Sequence, residues 1–116
     1  MATTHKTILV KDKSINEVMD TSKENLRSNG FKIRELSSRD LICTCGIGFL
    51  TAQQRFVLKF SQQDNQTVRI DGEFFTIAFY FIKSTVAEKA MAGGIPRRKG
   101  YKLMKEYISS IDGRVV

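Results

Sequence analysis

The hydrophobic period of this chain changes near Gly30 from that of a helix to that of a strand, and this change constrains the fold more than any other feature. Before Gly30, one face of residues 14–29 is apolar at helical spacing. The residues on that face are Ile15, Val18, Met19, Ser22 and Leu26. Ser14 and Glu17 form the S-x-x-E capping box of a helix start, and Gly30 suits a left-handed C-cap. The sequence therefore predicts a helix over residues 14–29.

After Gly30, apolar and polar residues alternate, which is the period of a half-buried strand. Polar turns such as SSRD and SQQDNQ separate the alternating segments, as is typical of an antiparallel meander. The predicted strands are 6–10 before the helix and 31–36, 41–47, 54–60, 67–72 and 73–84 after it. The last of these is apolar on both sides. It therefore either lies in the centre of the sheet or presents aromatic side chains on an exposed face.

A second amphipathic helix is predicted over residues 97–112. Its apolar stripe consists of Met104, Tyr107, Ile108 and Ile111. Pro96 has the backbone angle that suits the first turn of a helix, and Gly113 follows its end. Residues 85–96, rich in small side chains, are predicted to form a loop of a length that is often mobile or functional.

Together these elements predict the α+β fold class, as a single domain over residues 1–116. We expect a curled antiparallel sheet of about five strands with two helices on one face, in the order β-α-β-β-β-β-α. Because both helices cover the same face, the other face is expected to be partly exposed or covered by a partner.

The order of these elements resembles that of a known domain. The elements that carry the likeness are the strand KTILV, the capped helix ending in NG, the hairpins FKIRELSSRDLICTC and RFVLKFSQQDNQTVRI, and the last helix. They resemble the β-α-β4-α domain of the TATA-box-binding protein and of small bacterial domains such as those of the lipoprotein BamC. The resemblance covers nearly the whole chain, in topology alone, and implies a TATA-box-binding-protein-like fold. No functional motif matches, so it implies no site residue.

The positive charge of the chain is concentrated in one segment. The net charge is +7, and residues 83–105 carry seven cations against one acid. Such a basic surplus favours a nucleic acid, an anionic membrane or an acidic protein as partner. The longest apolar run, FFTIAFYFI, is too short to span a bilayer, and the first residues lack the apolar core of a signal peptide. We therefore expect a cytoplasmic location, or an extracytoplasmic one if a signal segment has been removed.

The sequence contains few groups that could perform catalysis. His5, the only histidine, lies near the N-terminus, and the acids Asp64 and Asp71 lie in or near hairpin turns. Phosphate-binding glycine motifs do not occur. Cys43 and Cys45 lie two residues apart on a strand, where they are poorly placed for a disulfide, and we expect two small buried side chains. The sequence thus predicts no catalytic residue, no metal and no cofactor.

The segment PRRKG contains the candidate binding residues. If a helix begins at Pro96, three cations occupy its first turn, where the helix dipole disfavours each by about 0.3–1 kcal/mol. A bound anion would relieve this conflict. The candidate anion- or partner-binding residues are Arg97, Arg98, Lys99, Lys102 and Lys105. In the competing interpretation the helix begins at Gly100 or Tyr101, and the cations belong to a solvated loop.

The sequence leads to three hypotheses about function. The first is a non-catalytic interaction module that binds another protein, or its own copy as a homo-oligomer, through the open sheet face and the basic segment 83–105. The second is a nucleic-acid-binding or other anion-binding domain that uses the same segment. The third is an enzyme, which the absence of acid–base sets disfavours. Arg55, Lys59 and Arg69 are further candidates for the sheet surface, at a register that the sequence leaves open.

Overall fold

One antiparallel sheet and two helices make up the structure, a computed structural model that describes residues 4–46, 53–78, 82–85 and 95–116. The strands of the described residues are β1 (Thr4–Lys11), β2 (Lys32–Glu35), β3 (Asp40–Cys45), β4 (Gln53–Asp64), β5 (Thr67–Ala78), β6 (Ile82–Thr85) and β7 (Arg114–Val115). The helices are α1 (Ile15–Ser28) and α2 (Ile95–Ser110). The predicted α+β class is confirmed, with β6 and β7 in addition to the strands expected.

The sheet has the strand order β2-β3-β4-β5-β1-β7, and every pairing is antiparallel. β1 pairs with the first part of β5, and β6 pairs with the last part, so β6 continues the row that β1 begins. The first strand thus lies beside β5, and α1 connects β1 across the sheet to β2 at the far edge. The element order approximates the β-α-β4-α order of the TATA-box-binding-protein domain but adds β6 and β7, and a relationship to that domain stays a prediction.

The prediction of two strands at 67–72 and 73–84 is wrong. The chain runs straight through Gly72 as β5, and β6 then turns back along β5, with Ala78 opposite Ile82. A Cβ at Gly72 would lie 2.7 Å from the ring of Phe74, so the glycine allows close packing inside a strand instead of making a turn. The reversal lacked a sequence signal, because FFTIAFYFI contains no Gly, Pro, Asn or Asp. Residues 79–81 lie outside the described part.

The limits of α1 follow from its caps. The Ser14 Oγ accepts a hydrogen bond from the Glu17 amide at 3.1 Å, which confirms the predicted start. At the other end, the Phe31 amide donates to the Leu26 carbonyl at 2.9 Å, and Gly30 has a φ of +87°. This is a Schellman ending, for which glycine is favoured because it has no Cβ.

Helix α2 begins earlier than predicted. It includes Ile95 and Pro96, so the cations that follow are helical and the alternative start at Gly100 or Tyr101 is wrong. Its end agrees with the prediction, since the Gly113 amide donates to the Ile108 carbonyl at 2.9 Å. Of the predicted loop 85–96, residues 86–94 lie outside the described residues.

The core lies between the two helices and one face of the sheet. Phe56 of β4 is at its centre, with ring centroids 4.8 Å from Phe31, 4.7 Å from Phe74 and 6.4 Å from Tyr107. Each such ring contributes about 1.5–3 kcal/mol through burial. The helices meet at a buried hydrogen bond of 2.9 Å between the hydroxyls of Ser22 and Tyr107. Both helices therefore cover the Phe56 face, which leaves the opposite face of the sheet for other contacts.

Candidate functional site

The basic residues of α2 lie in its first turns and along its exposed side. Arg98, Lys99, Lys102 and Lys105 are exposed, whereas Arg97 is half-buried and already engaged in a contact. The first turn contains no acid that would offset these cations or complement the helix dipole. The structure thus confirms the electrostatic conflict that the sequence suggested for a helix beginning at Pro96.

Three of the five predicted residues share one side of α2. Arg98, Lys102 and Lys105 follow each other at intervals of four and three, which aligns them along the helix. We call these three residues the α2 stripe. The Lys105 ammonium lies 5.7 Å from the centroid of the Tyr101 ring, at the distance of a cation–π contact. Lys99 points to a different side, since it is about one hundred degrees from its neighbours around the helix.

The sheet face that neither described helix covers, called the open face below, is also basic. Residues paired across neighbouring strands lie on the same face, so the register places Arg55, Lys59 and Arg69 together, as the sequence suggested. The described cations on this face are Lys11, Lys32, Arg34, Arg55, Lys59, Arg69 and Arg114, and the described acids are Asp40, Asp64, Asp71 and Glu73. One of these acids is already neutralised, because Arg69 binds the Asp71 carboxylate through both Nε and Nη2.

Lys32 and Arg34 are members of this face that the sequence interpretation missed. They alternate with Phe31, which is buried, and Ile33, which is half-buried. This alternation places both cations on the side opposite the core. The period-two pattern of FKIRE could have identified them, had each strand been divided into its two faces before charges were counted.

Aliphatic side chains form the floor of the open face. Leu9, Ile42 and Val57 are half-buried on β1, β3 and β4, where cations flank them. The exposed aromatic face that the sequence allowed is not seen at Phe75 and its neighbour Ile77. Their side chains are only 4% and 5% exposed, although their register places them on this side. Phe79, Tyr80 and Phe81 lie outside the described residues. The available part of the face is therefore aliphatic and basic.

The open face and the α2 stripe lie on opposite sides of the sheet. Helix α2 packs against the Phe56 side through Tyr107, and the cations of β4 project from the other side. A single flat partner surface therefore contacts one of the two regions and not both. The α2 part of the basic segment and the sheet face, treated together in the sequence interpretation, form two separate candidate surfaces.

One end of the open face contains a pocket with a volume of 330 Å³ between β2, β3 and β4. It is lined by Lys32, Ile33, Arg34, Ile42, Thr44 and Arg55. The Arg55 Nη2 donates to the Gln53 Oε1 at 2.8 Å. The Arg55 Nε is buried and has no acceptor among the described residues. A buried donor left unpaired costs about 1–3 kcal/mol.

The remaining polar groups that could take part in catalysis are instead buried in the core or held in hydrogen bonds of the fold. Burial raises the pKa of the Cys43 thiol to about 12, which leaves it protonated, and the half-buried Cys45 Sγ lies 3.7 Å from the Asn29 carbonyl. Hydrogen bonds, chiefly from the Gln66 amide, lower the pKa of Asp64, which belongs to the β4–β5 turn. In the described part of the chain, no three potential metal ligands form a cluster.

Comparisons with protein-family models and with curated protein sequences find no match to the chain. Neither described helix is both long and apolar enough to cross a membrane. The two basic surfaces and the pocket are the features of the described residues that bear on function.

Proposed function

We propose that this chain is a non-catalytic interaction module that binds an acidic protein partner across its open sheet face. The observation that supports this most strongly is the composition of the face. A half-buried aliphatic floor of Leu9, Ile42 and Val57 is flanked by seven described cations and four described acids. An apolar centre with a polar rim is the usual anatomy of a protein interface.

Charge complementarity selects the kind of partner. Positive and negative patches attract one another and fix the orientation of a complex, whereas like charges at an interface are costly. Two copies of this chain that met through their open faces would bring basic surfaces together. The charge therefore favours an acidic partner over a homo-oligomer built on this face.

The proposal of a non-catalytic role rests on the surroundings of the polar groups. The Asp71 carboxylate is bonded by Arg69 and by the Thr7 hydroxyl, and Asp64 forms a turn. The Cys43 thiol is protonated in the core. These groups stabilise the fold, and none has the paired arrangement that acid–base or nucleophilic catalysis needs. The cytoplasmic location expected from the sequence stays a prediction.

A second candidate function is nucleic-acid binding through α2. The α2 stripe extends from a helix N-terminus without acids, and both features attract phosphate groups. Such binding weakens steeply as salt concentration rises, because bound phosphates release counterions. Contact with the aliphatic floor of the open face depends much less on salt.

An NMR titration of isotope-labelled protein separates these functions. The two probes are an acidic peptide that alternates glutamate with valine and a short mixed-sequence oligonucleotide, each at low and moderate salt. We expect the peptide to shift the amides of Ile42, Val57 and their neighbours, and to keep part of its affinity at moderate salt. Val57→Thr should lower the affinity for the peptide, because it removes an apolar contact while preserving side-chain shape and strand propensity.

The matched control is Arg98→Gln with Lys102→Gln, which reduces the charge of the α2 stripe and leaves the open face unchanged. If the peptide shifts only residues of α2, or if Val57→Thr binds it as tightly as the native protein, the open-face proposal is wrong. Oligonucleotide shifts confined to α2 that disappear at moderate salt would favour the second function.

A further inference from the structure

We propose that the pocket between β2, β3 and β4 is a binding site for a phosphate monoester. The pocket brings together the cations Lys32, Arg34 and Arg55 with the Thr44 hydroxyl, and none of the described residues that line it is acidic. This inference goes beyond the interaction with an acidic protein, because its occupant is a phosphoryl group in a defined pocket and not an extended surface.

The sheet register explains why these side chains converge. Lys32 of β2 lies opposite Thr44 of β3, and Thr44 lies opposite Arg55 of β4. Arg34 follows Lys32 on the same side of its strand. Three neighbouring strands therefore contribute to one row, whose backbone is held by the sheet hydrogen bonds. Such a row is better fixed than the same cations would be on a loop.

The three cations have capacity for an anion. The described salt bridges of the chain join other residues, so none of these three has a carboxylate partner in the described part of the protein. Arg55 is the central residue, because its Nη2 is held by Gln53 while its buried Nε–H lacks an acceptor. A guanidinium fixed at one nitrogen, with a free N–H beside it, is suited to an oxyanion.

The number of charges favours phosphate over carboxylate. A phosphate monoester carries about −1.5 to −2 charges at pH 7 and offers three acceptor oxygens. Three cations and a hydroxyl match this demand, whereas one carboxylate would leave cations without a counterpart. The volume of 330 Å³ leaves room for an organic substituent, which would lie against the half-buried Ile42.

The test is an NMR titration of the native protein with phenyl phosphate, inorganic phosphate and benzoate. We expect saturable binding of phenyl phosphate, with shifts centred on Thr44 and Arg55, and weaker binding of benzoate. Arg55→Gln should lower the affinity for phenyl phosphate at least roughly ten-fold, since it removes a charge-assisted contact. Equal affinity for inorganic phosphate would identify the phosphate alone as the ligand, and weaker affinity would identify an organic monoester; both results support the site.

The control on the same face is Lys59→Gln, which changes the net charge equally but lies outside the pocket. Its affinity for phenyl phosphate should stay within about two-fold of the native value, because an exposed charge beyond the pocket is screened. If Arg55→Gln loses its native spectrum, Arg34→Gln provides the same comparison from an exposed position.

Absence of saturable binding, an equal loss with Lys59→Gln, or equal affinity for benzoate would overturn the proposal. None of these results bears on the open face as a protein-binding surface, because Val57→Thr tests that function separately. Conversely, if the protein binds phenyl phosphate but no acidic peptide, the phosphate site is supported and the protein-binding proposal is wrong.

Discussion

Replacing Tyr107 with phenylalanine should destabilise the native protein but stabilise a variant that already lacks the Ser22 hydroxyl. The two hydroxyls form a hydrogen bond of 2.9 Å between α1 and α2, and both residues are fully buried. Burial raises the pKa of Tyr107, so its hydroxyl stays neutral in any ordinary assay buffer. The effect of the substitution is therefore one of hydrogen bonding and packing alone.

The sign of the effect depends on which hydroxyl remains. In the native background, Tyr107→Phe removes a hydrogen bond with a net value of about 0.5–1.5 kcal/mol. The Ser22 hydroxyl left behind has an alternative, because a helical serine can donate to the carbonyl four residues earlier, here that of Val18. After Ser22→Ala, the Tyr107 hydroxyl is buried without its partner, at a cost of about 1–3 kcal/mol. Adding Tyr107→Phe then removes that cost.

Urea unfolding of the native protein, the two single variants and the double variant gives the free energies of this double-mutant cycle. The helix-propensity gain of about 0.5 kcal/mol from Ser22→Ala is common to both variants that contain it, so it cancels in the comparison. The matched control is Tyr101→Phe on the same helix, where the side chain is half-buried, and the unfolding free energy should change by no more than about 0.5 kcal/mol. Equal destabilisation by Tyr107→Phe in both backgrounds would show that the hydroxyls are not coupled and would refute the reasoning.

Three further predictions concern residues outside the candidate surfaces. Gly72→Ala should lower the unfolding free energy in urea by about 1–3 kcal/mol, because its Cβ would lie 2.7 Å from the buried Phe74 ring. The Cys43 thiol, whose pKa burial raises to about 12, should resist alkylation in the native protein at pH 8, and mass spectrometry should find label at the half-buried second cysteine first. The hydrogen bond from Lys23 lowers the pKa of Glu35, so its carboxyl NMR titration should have a midpoint below the ordinary value and return towards it in Lys23→Gln. Since the folded-state pKa is lowered, this pair stabilises the protein above the ordinary pKa, and the contribution is lost as pH falls through the folded value.

The helices and most strands could be predicted because their signals are local. A capping serine, a C-cap glycine and an apolar stripe all act within a few residues, and the structure contains each of them in α1. The reversal between β5 and β6 has no such signal. Its residues are apolar on both sides of the strand, so burial is satisfied equally by one long strand or by a hairpin. Only the tertiary pairing of Ala78 with Ile82 distinguishes the two.

Gly72 shows the opposite failure, in which a local signal indicates the wrong cause. A glycine after aspartate normally marks a turn, because it tolerates a positive φ. In this sheet the position is required for space, since the missing Cβ allows the Phe74 ring to lie across the strand. A sequence pattern can show that a position needs glycine, but it does not show whether the backbone angle or the neighbouring side chain imposes the need.

The candidate sites found by counting charges along the sequence differ from those that the cations form in the structure. Counting charges along the chain singles out residues 83–105, because the cations there are consecutive or nearly so. On strands, each cation alternates with a core residue, so the count is diluted although the side chains converge. Arg55 is far from Lys32 and Arg34 in the sequence, yet the register of β2, β3 and β4 gathers the three cations at one pocket.

If the chain binds an acidic partner as proposed, the separation of the two basic surfaces predicts a different contribution from each. Electrostatic attraction acts over about a Debye length, roughly 30 Å at 0.01 M salt, so at low salt cations on both sides of the protein raise the rate at which an acidic partner approaches. The lifetime of the complex depends instead on the groups that the partner desolvates. If the open face is the interface, removing charge from Arg98 and Lys102 should slow association without changing dissociation, whereas Val57→Thr should accelerate dissociation. Measuring both rates for the acidic peptide would therefore identify the contact side of the sheet, even where equilibrium affinities alone are similar.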